Sequence, residues 1–193
     1  MKVIICGAGQ VGWQIARHLS GEKNDVTVVD SNPELVRRAT DTLDVQGVTG
    51  FASHPDVLER AGARDCDLLI AATYSDEVNM VTCQVGHSVF NITRKIARVR
   101  NQSYMRPEYG DLYRRDHLPI DVIISPEREV AEAVAQGLSN KEIALRLALT
   151  ERTVKAHLAA VFDKLSSGMD DATRDWLAAA CAPLDRTPAA LAA

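Results

Sequence analysis

Residues 1–31 read MKVIICGAGQVGWQIARHLSGEKNDVTVVDS. This stretch contains a β-rich run at 2–6, a glycine-rich turn, an amphipathic run at 10–20 and a second β-rich run at 26–30. Hydrophobic periodicity predicts strands for the two β-rich runs and a helix for the run between them. A strand, a helix and a second strand in this order predict a βαβ unit of a parallel sheet.

The turn after the first strand has the sequence Gly7-Ala8-Gly9-Gln10-Val11-Gly12. In dinucleotide-binding folds the first glycine allows a tight bend, the second lets the pyrophosphate approach the backbone, and the third lets the helix pack on the strand. The phosphates then lie at the positive end of the helix. This context predicts a cofactor site, with a purely structural turn as the alternative; the predicted contacts are Gly7, Gly9, Gln10, Val11 and Gly12.

An acidic residue closes the second strand. Asp30 follows Gly12 by 18 residues, and Ser31 comes next. A carboxylate there can accept hydrogen bonds from both ribose hydroxyls, and it repels the 2′-phosphate of NADP(H). The predicted cofactor is therefore NAD or NADH, while Arg37 and Arg38, one helical turn further on, leave NADP(H) open.

The alternation of β-rich and amphipathic runs continues to residue 124. Further strands are predicted at 45–48, 67–72, 95–100 and 120–124. Helices are predicted at 33–40, 55–61, 76–90, a short piece near 105–115, and 126–137. Six strands in βα order predict an α/β fold, a Rossmann-like doubly wound parallel sheet, followed by an all-α C-terminal segment.

After Gly137 the strand signals stop, and helices are predicted at 140–147 and 151–165 with a short turn at 148–150. This spacing is typical of a helix-turn-helix. Ser139 and Glu142 form a capping-box pattern, and Thr150 precedes the second helix as its cap. An apolar stripe is predicted to hold the helices together: Ile143, Leu147, Val154, Leu158, Val161, Phe162 and Leu165.

The outer face of helix 151–165 is polar and basic, as contact with phosphates and base edges in a major groove requires. Residues 136–165 carry five basic and three acidic side chains, a local charge of +2. The predicted DNA-binding residues are Lys141, Thr150, Arg152, Thr153, Lys155, His157 and Lys164. A helical hairpin with a solvated charged face is the alternative.

Composition excludes several classes of protein. The 193 residues are 46% hydrophobic and 25% charged with a net charge of −4, as in ordinary globular proteins. No apolar run is long enough for a membrane span, and no signal peptide is evident, which predicts a cytoplasmic protein. Four cysteines without a CxxC pair predict neither a zinc site nor a disulfide framework.

Nothing in the chain predicts an enzyme. The five histidines are scattered, no GxSxG or HExxH motif occurs, and little room remains for a substrate domain. We therefore expect no catalytic and no metal-binding residues, and a small NAD-dependent oxidoreductase is kept as an alternative function.

Residues 1–135 resemble the N-terminal (RCK-type) nucleotide-binding domains of the TrkA family, which regulate potassium uptake. The likeness runs through MKVIICGAGQVGWQIARHLS, VTVVDSNPELVRRA, FASHPDVLERAGARDCDLLIAATYSDEVNM, KIARVRN and SPEREVAEAV. It implies a non-enzymatic NAD(H)-binding regulatory protein that forms a homodimer or a higher homo-oligomer. A potassium-transporter membrane subunit is the implied partner, and the implied location is cytoplasmic, peripheral to the inner face of the membrane.

The same resemblance implies that the second half of the sheet closes over the nucleotide through Ala72, Thr73, Asp76 and Arg100. From the residues alone, Thr73 and Ser75 can also act only as caps of helix 76–90. Many family members carry an acidic residue near the adenosine just after the third strand. This chain has Phe51 there, so any contact is apolar.

Residues 127–165 resemble the LuxR-type DNA-binding domain, most specifically in GLSNKEIA (137–144) and TERTVKAHL (150–158). DNA is then a further partner, and the function implied is that of a nucleotide-responsive transcription regulator. Ala156, Ala159 and Ala160 depart from the polar recognition helix of that family. A potassium-transport regulatory subunit whose C-terminal helices only pack is the alternative.

Three domains are predicted. A Rossmann-like domain covers 1–124, and a helix-turn-helix covers 125–165, its first helix shared with the preceding domain. A helical, Ala/Pro-rich tail covers 166–193.

Overall fold

The computed structural model describes residues 1–147 and 149–166, and the chain divides into two compact units. The first unit covers Met1–Ile124, and the second begins at Ser125. The predicted tail, apart from Ser166, lies outside the described residues. No helix in the described part of the chain is both long and apolar enough to cross a membrane.

The first unit is built on a six-stranded parallel sheet in the order β3-β2-β1-β4-β5-β6. The strands are β1 Lys2–Cys6, β2 Asp25–Asp30, β3 Gln46–Thr49, β4 Leu68–Ala71, β5 Arg94–Arg98 and β6 Val122–Ile124. The chain runs outward from β1 to β3, returns beside β1 with β4, and runs outward again. The direction of winding therefore switches between β1 and β4, which confirms the doubly wound sheet.

Helices and short 3₁₀ turns connect the strands. The helices are α1 Gln10–Gly21, α2 Pro33–Thr42, α3 Pro55–Arg60 and α4 Asp76–Ser88. The helical piece predicted near 105–115 is a pair of 3₁₀ helices, Gln102–Met105 and Pro107–Tyr113. Both α2 and α3 begin with proline, which suits the first helical position because that residue needs no N–H partner.

The core lies on both faces of the sheet. Ile4 and Cys6 of β1 pack against one set of buried side chains, and Val3 and Ile5 pack against another. Because β1 is central and covered on both sides, all four side chains are at most 2% exposed.

Three helices form the second unit: α5 Pro126–Ala135, α6 Asn140–Arg146 and α7 Glu151–Ser166. Their shared core contains Val130, Ala133, Ile143, Ala144, Val154 and Leu158. Just beyond α5, Gly137 has a φ of +78°, with Leu138 N–H donating to Ala133 O and Gly137 N–H donating to Val134 O. This pair of hydrogen bonds is the Schellman motif. That α5 is shared with the first unit stays a prediction.

Candidate functional site

The loop after β1 meets the end of β4. Gly7 has a φ of +107°, and a Cβ atom placed on it would lie 2.6 Å from the carbonyl oxygen of Ala72. The Gly7 N–H donates to Val29 O on the other side, at 2.7 Å. The loop is therefore held between β2 and β4, and only glycine fits its first position.

The other two glycines of the loop differ in their surroundings. A Cβ on Gly12 would lie 1.7 Å from Gly7 O and 3.5 Å from Ile5 Cγ2, so α1 packs directly against the loop and β1. A Cβ on Gly9 would meet no atom within 4 Å, and Gly9 has a φ of −66° that any residue adopts. The space beside Gly9 is open to a ligand.

The N-terminus of α1 points into this loop. Gly9 is its N-cap and has no side chain with which to cap the helix, and the first turn contains no acidic residue. The first intrahelical hydrogen bond joins Trp13 N–H to Gly9 O at 2.8 Å. Gln10 and Val11 thus occupy the first turn of a twelve-residue helix, whose positive end favours a bound anion.

Asp30, at the end of β2, is bonded to the glycine loop. Its Oδ2 accepts the Ala8 N–H at 2.7 Å, and its Oδ1 accepts the Asn32 N–H at 2.8 Å. Each carboxylate oxygen has a second lone pair, so Asp30 can still accept hydrogen bonds from a ligand. Ser31 beside it is exposed.

The segment after β4 is organised by a residue that sequence reasoning missed. Asn79 is fully buried, and its Oδ1 accepts both the Thr73 N–H at 2.8 Å and the Thr73 hydroxyl at 2.6 Å. Its Nδ2 donates to Thr73 O at 3.3 Å and to Arg98 O at 2.9 Å. Asn79 therefore joins α4 to both β4 and β5. The sequence feature that could have identified Asn79 is its position three residues after Asp76, on the same face of the helix.

Asp76 and Arg100 contact each other. The Oδ2 of buried Asp76 accepts the backbone N–H groups of Arg100 and Asn101 at 2.9 and 2.8 Å, and its Oδ1 lies 3.5 Å from Arg100 Nε. The Arg100 guanidinium also lies 4.5 Å from the centre of the Tyr74 ring and donates to the Tyr74 carbonyl. These two predicted site residues connect the start of α4 to the end of β5.

Of the two residues predicted to cap α4, Ser75 does so and Thr73 does not. Ser75 is the N-cap and accepts the Val78 N–H at 3.3 Å. Thr73 bonds to Asn79 instead of capping the helix. Ala72 and Thr73 lie against the glycine loop, because both contribute atoms within 3 Å of the Cβ position of Gly7.

The buried thiols of the first unit are neutral. Burial raises the pKa of Cys6, directly before the loop, well above its ordinary value, and nearby Cys83 raises it further. Burial also raises the pKa of Cys83 to about 12. Neither thiol is therefore an activated nucleophile. Among the described residues, no three His, Cys, Asp or Glu side chains could together hold a metal ion.

The second unit has the predicted caps. Ser139 Oγ accepts the Glu142 N–H at 3.4 Å, and Glu142 Oε2 accepts the Ser139 N–H at 2.8 Å, which is a capping box. The Ser139 hydroxyl, which donates to Glu142 Oε2 at 2.6 Å, and then the Ser139 N–H lower the pKa of the Glu142 carboxyl. Thr150 Oγ1 accepts the Thr153 N–H at 3.1 Å, as predicted for a cap of α7.

An exposed stripe runs along α7 opposite its buried face. Val154 and Leu158 are buried, whereas the residues at spacing i, i+3, i+4 and i+7 are exposed. The stripe consists of Arg152, Lys155, Ala156 and Ala159. Lys141 and Thr150 are also exposed, and Thr153 and His157 are half-buried. The side chain of Lys164 lies outside the described part of the chain.

A doubly wound parallel sheet, with a glycine loop at its switch point and an acidic residue at the end of β2, defines the class of Rossmann-type dinucleotide-binding folds. The chain belongs to the TrkA-N domain family, whose model matches residues 3–126. Residues 125–169 match the model of bacterial regulatory proteins of the luxR family.

Curated relatives share this first part of the chain. It is 60% identical over 139 residues to the Trk system potassium uptake protein TrkA of Azorhizobium caulinodans, covering 72% of this chain and 30% of the relative. It is 46% identical over 134 residues to the TrkA of Vibrio alginolyticus, covering 69% and 29%. The chain thus spans about 30% of the length of these relatives.

Solved structures share the fold. The TrkA-N domain of the Escherichia coli inner membrane protein ybaL superposes with a TM-score of 0.56 at 18% identity, covering 72% of this chain and 96% of that one. A GsuK channel bound to NAD superposes with a TM-score of 0.55 at 20% identity, covering 68% of this chain and 22% of that one.

Proposed function

We propose that the first unit is a non-enzymatic regulatory domain that binds NAD or NADH. The observation that carries this proposal is the open space beside Gly9, the residue at the N-cap of α1, which has no side chain to fill that space. An anion is favoured there. Asp30, which is bonded to Ala8 of the same loop, can accept hydrogen bonds from a ribose. The NAD-bound GsuK channel, which shares this fold, supports the choice of ligand.

Each predicted residue has a proposed role. The pyrophosphate lies along Gly7, Gly9, Gln10, Val11 and Gly12, and Asp30 with Ser31 holds a ribose. Ala72 and Thr73 border the site from the β4 side, where both contact the Gly7 position. Asp76 and Arg100 act on the site indirectly, because they hold the β5 end against α4.

A pair of glycine variants tests the site. Gly9→Val places a branched side chain in open space, so folding is retained while the pyrophosphate is displaced. Calorimetric titration with NADH, NAD, ATP and NADPH should show NADH binding to the natural chain and none to Gly9→Val. Gly21→Ala, whose Cβ also meets nothing within 4 Å, is the matched control and should bind normally. Normal NADH binding by folded Gly9→Val would contradict the proposal.

We further propose that the nucleotide signal regulates potassium uptake through a membrane transporter subunit, as the names of the TrkA relatives suggest for those proteins. The protein would act as a homo-oligomer at the inner face of the membrane. Growth of a strain lacking its own TrkA in low potassium, with the natural chain or with Gly9→Val, tests this role. If the strain grows equally well when it carries neither chain, the proposed role in potassium uptake is contradicted.

For the second unit we propose DNA binding through the exposed stripe of α7. Its cations Arg152 and Lys155 suit phosphates and base edges, and the luxR-family match supports this role. The stripe also contains Ala156 and Ala159, so one copy should bind weakly, with a Kd on the order of 10⁻⁵ M at physiological salt. Two copies on a two-fold site would supply useful affinity.

Selection from a random duplex pool at low salt, with and without NADH, tests DNA binding. Lys155→Ala should weaken binding to a selected site more than binding to random duplex, whereas Lys141→Ala should weaken binding to both equally. Arg115→Ala, an exposed arginine of the first unit, is the matched control. Failure to enrich any sequence would leave α5, α6 and α7 as packing elements of a potassium-transport regulator.

An oxidoreductase is the remaining alternative. Hydride transfer from NADH to any added acceptor, lost in Gly9→Val, would favour that function over a regulatory one.

A further inference from the structure

The turn after β3 holds an aromatic ring out into solvent. Phe51 is 60% exposed, although the next residue, Ala52, is 4% exposed and packs in the core with Val57. The His54 N–H donates to Phe51 O at 3.0 Å and closes the turn. The ring is thus exposed on a turn whose backbone is anchored.

This turn is attached to Asp30. The last residue of β3, Thr49, is the register partner of Asp30, and the Gly50 N–H donates to Asp30 O at 2.9 Å. Phe51 follows Gly50 directly. A ribose bonded to the Asp30 carboxylate carries its base one glycosidic bond away, so a base turned toward β3 points at the Phe51 turn.

A second ring completes the surface. The centres of the Phe51 and His54 rings are 5.4 Å apart, with a tilt of 41° between their planes. Both residues are exposed. Phe51 has no hydrogen-bonding group, so it can contact a base only through its face or edge.

We propose that Phe51, paired with His54, stacks on the base of the bound dinucleotide and that the site selects for a flat aromatic base rather than for its hydrogen-bonding edge. The inference rests on the proposed binding of NAD(H) at the glycine loop. Stacking on an aromatic side chain tolerates different bases, because every base has a π-face. The hypoxanthine analogue of NADH should therefore bind within about a factor of three of NADH.

The test is calorimetry of the full chain with NADH, ADP-ribose and reduced nicotinamide mononucleotide, which lacks the adenine. Phe51→Ala should weaken the binding of NADH and of ADP-ribose by the same factor, about 5- to 150-fold. The affinity for the mononucleotide should stay unchanged. Phe51→Trp should keep the affinity for NADH. Val89→Ala, which removes a 52% exposed apolar side chain just beyond the end of α4, is the matched control and should change nothing.

The outcomes separate the two proposals. A natural chain that does not bind NADH contradicts the proposed function itself. A natural chain that binds NADH while Phe51→Ala binds it equally well overturns only the stacking inference. Equal weakening of NADH and the mononucleotide, or an altered oligomeric state of Phe51→Ala measured by sedimentation, also overturns it, because Phe51 would then shape the whole loop or contact a second copy.

Discussion

At the scale of single residues, Asp30 has two separate tasks. Its carboxylate accepts the N–H groups of Ala8 and Asn32, so it connects the glycine loop to the start of α2 before any ligand arrives. The same carboxylate is proposed to hold the ribose. A variant at this position therefore changes both the shape of the loop and the contact with the ligand.

Asp30→Ala should weaken NADH binding by about 1.5–3 kcal/mol, the range for hydrogen bonds that involve a charged group. Asp30→Asn keeps the size of the side chain, but its amide nitrogen cannot accept the second backbone N–H. It should therefore also bind NADH more weakly than the natural chain. Calorimetry on both variants, with folding checked by circular dichroism, measures the effect. Unchanged affinity in either folded variant would remove Asp30 from the site.

Asn79 is the residue on which the second half of the sheet depends. Asn79→Ala removes the buried side chain that bonds the half-buried Thr73 N–H and Arg98 O, and each lost hydrogen-bond partner costs about 1–3 kcal/mol. We expect the free energy of unfolding to fall by about 2–4 kcal/mol in urea titrations. Gln84→Ala, on the same helix, where the side-chain amide donates to the exposed Ser88 hydroxyl, should stay within about 0.5 kcal/mol of the natural chain. Equal stability of the two variants would contradict this role.

At the scale of elements, the helices differ in how they begin. The α1 helix starts at a glycine, and the N-caps of α3 and α5 likewise make no side-chain cap hydrogen bond, whereas α2, α4 and α6 are capped by Asn32, Ser75 and Ser139. A side-chain cap satisfies the N–H groups that a bound anion would otherwise occupy. The absence of a side-chain cap on α1 is therefore consistent with its proposed role at the phosphates.

The capping box of α6 predicts a pH dependence of stability. Hydrogen bonds from Ser139 lower the pKa of Glu142 in the folded state, so its contribution is fully present above the ordinary glutamate pKa of about 4.3. That contribution is lost as the pH falls through the lowered pKa. Glu142→Gln keeps a capping side chain but cannot titrate.

Urea unfolding of the natural chain and of Glu142→Gln between pH 7 and pH 3 checks this prediction. The stability difference between them should favour the natural chain at pH 7 and shrink as the pH falls. A difference that is independent of pH would show that the charge of Glu142 plays no part.

At the scale of the whole molecule, the TrkA-N unit and the three-helix unit are joined at residues 124 and 125. The proposed ligand contacts only the first unit, and the proposed DNA contacts lie only in the second. Any ligand-dependent change in DNA affinity therefore requires a coupling between the units.

NADH should stabilise the chain by mass action. At a free concentration of 100 times its Kd, the gain is about 2.7 kcal/mol, which for a domain of this size raises the Tm by about 10 °C. Differential scanning fluorimetry should show this shift in the natural chain and in Lys155→Ala, but not in Gly9→Val. A shift of the same size in Gly9→Val would place the NADH site elsewhere.

The sequence alone determined the elements and their order. The strand β1 and the start of α1 fall where the alternation of Lys2–Cys6 and the glycine loop predict them. The bounds of α7 differ from the predicted 151–165 by one residue. These features depend on local periodicity, glycine positions and caps, all of which are encoded within a few neighbouring residues.

Which side chains meet depends on the tertiary structure. The bonds from Asp30 to Ala8, from Asn79 to Arg98 and from Asp76 to Arg100 join residues 22, 19 and 24 positions apart. The position of the Phe51 turn next to the end of β2 likewise depends on the pairing of β2 with β3. Such contacts are set by how the strands are ordered and how the helices pack on them, and no local pattern of the sequence encodes that arrangement.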